Sequence, residues 1–303
     1  MPASGRDLRR KLKSIRSTQK ITSAMQLVAA SKMQRAIRRA LESRPFSGLA
    51  AEIVNSLSPD TSQSDASVLT TQPLFTKRPL KTVLVLLVTT NRGLAGPLNT
   101  QLFRRFTTWH GEQLHNGRTV RVVVVGAKGR QFVTRFARAE LIGDFATLDR
   151  VPDYREASPI AQLLINEFEA GRTDAVYLAY NHFVSSLRQE PEIVPYLPFR
   201  RANSDQEAKI DDHQPSASDL LFEPSQEEVL ATLLPRYLRV HLYQVLLETH
   251  ACEQAARMLA MKNATDNAGD LLDDLTLTYN SLRQTAITGE LLDIAAGAAA
   301  LEG

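Results

Sequence analysis

Apolar and small residues recur in steps of three and four through the first part of the chain: Leu8, Leu12, Ile15, Thr18, Thr22, Met25, Ala29, Met33, Ala36 and Ala40. On a helix of about 3.6 residues per turn this spacing draws a single stripe. The stripe stays as narrow as a coiled-coil seam and does not widen to the face of a globular core. Residues 3 to about 57 therefore predict one long helix. Pro45 predicts a kink or a break in it, because proline lacks a backbone donor and clashes with the preceding turn. The same spacing returns from Gln226 to about Leu301, through Ala251, Ala255, Met258, Thr265, Ala268, Leu272, Leu275, Tyr279, Leu282 and Ala286. Some 75 residues at ~1.5 Å rise reach ~110 Å, well beyond a globular domain, so this second helix needs a partner along its length. The N-terminal helix is the obvious one.

Between the two the period changes. Thr82–Thr90, Thr119–Gly126 and Asp174–Asn181 are short runs of Val, Leu and Tyr that read as buried strands. Helical stretches near Leu98–His115, Gly129–Ala137 and Ser158–Ala170 separate them. Such alternation argues for a largely parallel sheet. Glu192–Phe199 reads as a further strand pushed to a sheet edge by Pro191, Pro195 and Pro198. Two polar stretches, 58–79 and 202–218, read as linker and loop.

The predicted fold class is α/β: a long antiparallel coiled coil of N- and C-terminal helices with an inserted Rossmann-like α/β domain. The expected organisation is a shaft helix over 1–57, a linker over 58–79 and the α/β domain over 80–201. A polar loop and foot segment over 202–225 and a second shaft helix over 226–303 follow. The seam is mostly Ala, Thr, Ser, Met and Leu. Small residues let backbones approach closely but bury little area per turn, at ~25 cal/mol per Å², so length has to compensate.

Charge sharpens this picture. Residues 1–50 hold twelve basic and two acidic side chains, a net +10, whereas residues 251–303 hold three basic and eight acidic ones, a net −5. Ends of opposite sign attract each other, and a basic end also attracts acidic partners. The only cysteine, Cys252, excludes an intrachain disulfide and a Cys-based zinc cluster, and reads as a small packing residue. The apolar runs Val83–Val88 and Ile294–Leu301 are far shorter than the ~18 residues of a membrane span. The expectation is a soluble chain with at most a peripheral membrane role.

Chemistry is sparse. Val125-Gly126-Ala127-Lys128-Gly129-Arg130 joins a strand to a helix but lacks both the P-loop spacing and G-x-G-x-x-G, so a tight turn is the better reading. The six histidines show no metal-ligand spacing, and no acid pair or nucleophile–base arrangement stands out. No catalytic, cofactor-binding or metal residue is expected. Two rival readings remain at this level: a nucleotide-binding α/β enzyme, and a basic coiled-coil protein that binds nucleic acid. The second lacks aromatic stacking residues and any DNA-binding motif.

Both ends carry longer patterns. Ile15-Arg-Ser-Thr-Gln-Lys-Ile-Thr-Ser-Ala-Met25, continuing to Val28-Ala-Ala-Ser-Lys-Met33, resembles the N-terminal signature of the gamma subunits of F-type ATP synthases. Glu253-Gln-Ala-Ala-Arg-Met258, Ala260-Met-Lys-Asn-Ala-Thr-Asp-Asn267, Asp273-Asp-Leu-Thr-Leu277, Ala286-Ile-Thr288 and the Gly297-Ala-Ala-Ala ending resemble the C-terminal helix of that family. The turn Asn91–Asn99 is similar to the family's S/D-R-G-L-C-G-G-L-N turn but departs from it at Ala95 and Pro97, and Gly289 stands where Gln is usual. The resemblance implies a non-catalytic rotor that turns inside a ring of three alpha and three beta subunits, driven by a membrane ring of c subunits. It implies beta-subunit contacts for Met25, Lys32, Arg283, Gln284 and Thr288. It also implies contacts of Leu220 and Glu223 with epsilon and the c-ring. The expected location is peripheral, on the cytoplasmic face of a bacterial membrane, since the family-like helix starts too early to leave room for a cleaved leader.

Overall fold

The computed structural model describes residues 5–57, 72–136, 139–146, 150–199, 223 and 225–302. In chain order they form α1 (Gly5–Leu57), a 3-10 turn (Pro73–Phe75), β1 (Thr82–Val88), α2 (Leu98–His115), β2 (Thr119–Val125) and α3 (Ala127–Phe136). Then come β3 (Glu140–Phe145), α4 (Tyr154–Glu169), β4 (Ala175–Phe183), β5 (Gln189–Leu197) and α5 (Gln226–Glu302). Packing divides the chain into two compact units, Met1–Ala30 with Arg257–Gly303, and Ser31–Ala256.

The larger unit is built on a five-stranded sheet in the order β3-β2-β1-β4-β5. β1 pairs in parallel with β2 and β4, β2 in parallel with β3, and β5 runs antiparallel to β4 at the edge. The central strand TVLVLLV is apolar on both faces because both are covered. Val83, Val85 and Leu87 pack with Leu102, Phe106 and Trp109 of α2. Leu84, Leu86 and Val88 face the opposite way, into a cluster with Ile160, Leu164 and Phe168 of α4 and Leu230, Leu234, Leu238 and Leu242 of α5. The first part of α5 is thus a covering layer of the sheet. The Tyr196 hydroxyl donates to the Leu238 carbonyl at 2.8 Å and ties β5 to it. The carboxylate of Asp174 accepts the amides of Lys81 and Thr82, both at 2.8 Å, and aligns the starts of β1 and β4.

Several local expectations shift. α1 continues through Pro45, so the proline does not end the helix. β3, ELIGDF, is half-exposed at the sheet edge and has too few apolar residues to announce itself in the sequence. β5 starts three residues earlier than its proline-rich pattern suggests, and Pro191 and Pro195 sit on an edge strand, where a missing donor is tolerated. Residues 72–79, at the end of the first polar stretch, carry core side chains. Leu74 and Phe75 are buried, the Phe75 ring meets Phe199 edge-on at 5.8 Å, and the Phe199 amide donates to the Leu74 carbonyl at 2.9 Å. The polar stretch 202–218 lies outside the described residues.

The smaller unit is a helix pair. The Thr265 hydroxyl lies 2.7 Å from that of Thr22, and a Cβ on Gly269 would lie 3.2 Å from the Gln19 amide nitrogen. Residue numbers fall on one helix as they rise on the other, so the pair is antiparallel. Leu8, Thr22, Ala29, Met261, Ala268 and Leu272 are the buried positions along it. The seam consists of small and slender residues, as the periodicity predicts. Its threonines satisfy their hydroxyls locally: Thr22 donates to the Gln19 carbonyl at 3.0 Å and accepts from Thr265.

Candidate partner-binding surfaces

Sites for a nucleotide or an anion would first be sought where the sheet's strands end and helices begin. There the chain's own groups fill the space. Gly126 has φ +99°, and a Cβ would collide with the Thr89 carbonyl, so only glycine fits this strand-to-helix turn. The amides that open α3 are engaged: Ala127 N donates to Asn91 Oδ1 at 2.9 Å, Lys128 N to the Thr90 carbonyl at 3.1 Å, and Gly129 N to Thr89 Oγ1 at 2.9 Å. The Gly126–Arg130 motif is a turn stitched to the end of β1. Nearby, Glu248 of α5 accepts the Phe183 amide at 2.9 Å and pairs with His182 Nδ1 at 2.7 Å. Cys252 is fully buried, its sulfur 3.2 Å from the Asn181 carbonyl, among Ala95, Leu98 and Ala256. Burial pushes its thiol up, so it stays protonated. The sequence showed no neighbour for Cys252, because its neighbours come from β4 and the turn before α2.

The Asn91–Asn99 turn holds its shape through side chains. Thr90 Oγ1 donates to the Arg92 carbonyl at 2.8 Å, and Asn99 Nδ2 donates to Thr90 Oγ1 at 2.7 Å. Leu94, at φ 65°, is exposed at its tip. Ala95 is buried where the similar turn carries Cys, and Pro97 sits at φ −83°, compatible with the start of α2.

The predicted contact residues are spread over separate places. Met25 is half-buried on α1, near exposed Ile21, Leu27 and Val28. Lys32 is half-buried in the larger unit. Arg283, Gln284 and Thr288 are exposed on α5, with Gln284 and Thr288 one turn apart on one face. Extending the Thr22–Thr265 register at equal rise sets Gly5 opposite about residue 282. The level of Met25 and that of Arg283 are then separated by ~30 Å along the pair. At equal rise the last ~20 residues of α5 lie past the level of Gly5, the first described residue of α1. Exposed Ile287, Leu291, Leu292 and Ile294 lie there. Glu223 is exposed, and Leu220 falls outside the described residues. A surface the sequence did not single out is a depression of about 340 Å³ lined by Arg35, Arg38, Arg39 and Arg150 with Glu42 and Asp153. Its arginines come from two distant segments, which is why sequence spacing could not reveal it.

A family model described as ATP synthase matches residues 4–301. The ATP synthase gamma chain of Desulfitobacterium hafniense is 41% identical over 300 residues, covering 99% of this chain and 100% of that one. The gamma chain of Herpetosiphon aurantiacus is 41% identical over 308 residues, covering 99% of each. This chain belongs to the ATP synthase gamma chain family. It is thus a non-catalytic subunit of the rotary ATP synthase, and its role is in the central stalk. In fold it is similar to a chain of the Euglena gracilis mitochondrial ATP synthase, solved as OSCP/F1/c-ring in rotational state 3, with a TM-score of 0.65 at 19% identity over 98% of this chain and 94% of that one. A rotor chain from the same organism matches with a TM-score of 0.62 at 19% identity, over 93% and 98%. Among the described residues no helix is long and apolar enough to cross a membrane.

Proposed function

We propose that this gamma chain transmits torque between the c-ring and the beta subunits through its paired terminal helices, and so couples ion-driven rotation to ATP synthesis or hydrolysis. The observation that carries this reading is the antiparallel pair with a slender seam, on which α5 continues ~20 residues past the level of Gly5 with exposed apolar side chains. A projecting helix that exposes Ile287, Leu291 and Ile294 on its own is suited to a surrounding sleeve of protein.

Arg283, Gln284 and Thr288 then hydrogen-bond to beta in the upper part of the pair. A guanidinium offers a planar fork of donors that suits carbonyls and carboxylates at a polar interface. Met25 and Lys32 meet the acidic loop of beta lower down, where the basic excess of α1 favours them. Leu220 and Glu223 meet epsilon and the c-ring. The chain sits peripherally at the cytoplasmic face of a bacterial membrane, held there by the membrane sector.

The test is Arg283→Ala. Arg283 is exposed, so the variant should fold with unchanged thermal stability. Co-purification with a ring of three alpha and three beta subunits, or coupled ATP synthesis in membrane vesicles, should fall. Assembled complexes that carry the change and synthesise ATP at the normal rate would remove Arg283 from the contact set.

A further inference from the structure

The arginine-lined depression lies wholly in the larger unit, between one face of α1 and the segment that leads into α4. Arg35, Arg38, Arg39 and Glu42 recur at helical spacing, so α1 supplies one wall, and Arg150 and Asp153 come from more than a hundred residues away. Four guanidiniums face two carboxylates. On the second wall, Asp153 and Arg150 already have partners. Asp153 caps α4 by accepting the Arg155 amide at 3.0 Å, and Arg150 pairs with Glu156 at 2.8 Å. Among the described residues neither Arg38 nor Arg39 forms an ion pair, although Glu42 stands within a helical turn of both. Among the described residues the lining holds four guanidiniums to two carboxylates, and like charges this close repel.

We propose that this depression binds a small oligophosphate, a compact anion of two or more linked phosphates such as tripolyphosphate or the phosphate tail of a nucleotide. The volume, about 340 Å³, is in the range of small-ligand sites and too small for an extended protein segment. Guanidinium forks match phosphate oxygens bidentately. Glu42 and Asp153 set a threshold: a singly charged anion gains too little against two carboxylates, whereas a multiply charged one gains from Arg38 and Arg39 and from the remaining donors of Arg35, which also donates to Ser31 Oγ at 3.0 Å, and of Arg150, which also pairs with Glu156. Because the arginines are exposed, binding weakens steeply with salt. Lys32, proposed above as a beta contact, lies one helical turn before Arg35, so the acidic-peptide arm of the experiment below is what separates this proposal from that contact.

The experiment is calorimetric titration of the full-length chain with tripolyphosphate at low and moderate salt. Saturable one-site binding is expected. It should weaken about tenfold or more in Arg38→Gln/Arg39→Gln and in Arg150→Gln, which removes a ligand from the opposite wall. Circular dichroism confirms that each variant folds, and the second covers the loss of the first. Arg9→Gln/Arg10→Gln, on α1 but outside the depression, should bind as the unaltered chain does. An absence of saturable binding overturns the proposal, as does an equal loss in the Arg9/Arg10 variant, which would mark a diffuse basic helix. A glutamate oligopeptide that competes as well as tripolyphosphate also overturns it, in favour of an acidic protein surface.

Discussion

At the scale of single residues, the larger unit is held in part by charge. Glu167, on the last turn of α4, is buried between two guanidiniums, with Arg121 at 2.6 Å and Arg172 at 2.8 Å. The Arg172 hydrogen bond, helped by Arg121, holds its carboxyl below the ordinary 4.5 against burial, which acts the other way. A depressed folded-state value stabilises the fold above about pH 4.5, and that contribution disappears as pH falls through the lowered value. Glu167→Gln should cost about 2 kcal/mol, below the ~3–5 kcal/mol of a fully broken buried pair, because Arg121 keeps Glu140 and Arg172 reaches solvent. Urea unfolding at neutral pH checks the loss, and the variant should show a shallower fall in stability below pH 4.5 than the unaltered chain. His241, stacked on Tyr237 and tilted against Tyr196, is an opposite case: burial lowers its value to about 4, so it stays neutral in the fold. None of this was legible in the sequence, where Glu167 is one acid among many and its partners lie 46 residues before it and five after.

At the scale of elements, the helix pair was legible in advance, because a stripe of small residues at steps of three and four has few other uses. Ala29, Ala268 and Leu272, named from periodicity, are buried on the pair, and Met33 and Ala36 in the larger unit, whereas Thr18, Leu282 and Ala286 of the same stripes are exposed. The central strands were legible for a similar reason, since TVLVLLV and TVRVVVV can only be covered on both faces. β3 was not, because an edge strand that is half in solvent needs no apolar run. The seam also makes a quantitative expectation. Gly269 lies inside α5, where glycine costs ~0.5–1 kcal/mol relative to alanine. The atom a new methyl would approach, at 3.2 Å, is the end of the Gln19 side chain, which can swing away. Gly269→Ala should therefore raise the stability of the pair by a few tenths to about 1 kcal/mol. The check is protection of amides in residues 5–30 and 257–302 by hydrogen exchange; a decrease would mean that Gln19 is fixed.

At the scale of the whole molecule, the two units depend on different forces. The larger rests on a sheet buried between two apolar clusters, which salt leaves largely untouched. The smaller joins a basic segment to an acidic one across a seam of modest apolar area. Raising ionic strength from low to about 0.5 M should lower protection in residues 5–30 while leaving that of β1 unchanged. Equal behaviour of the two would assign the smaller unit's stability to packing alone. The sequence by itself determined the secondary structure of the long helices and the inner strands, the lack of any metal or nucleophile pattern, and the family, because periodicity and local motifs are properties of neighbours in the chain. Tertiary structure alone decided that the start of α5 roofs the sheet, that the turns at the strand ends satisfy their own amides, and that arginines from residue 35 and residue 150 share one depression. Those outcomes depend on which distant surfaces meet, and distance through space leaves no regular mark on the order of residues.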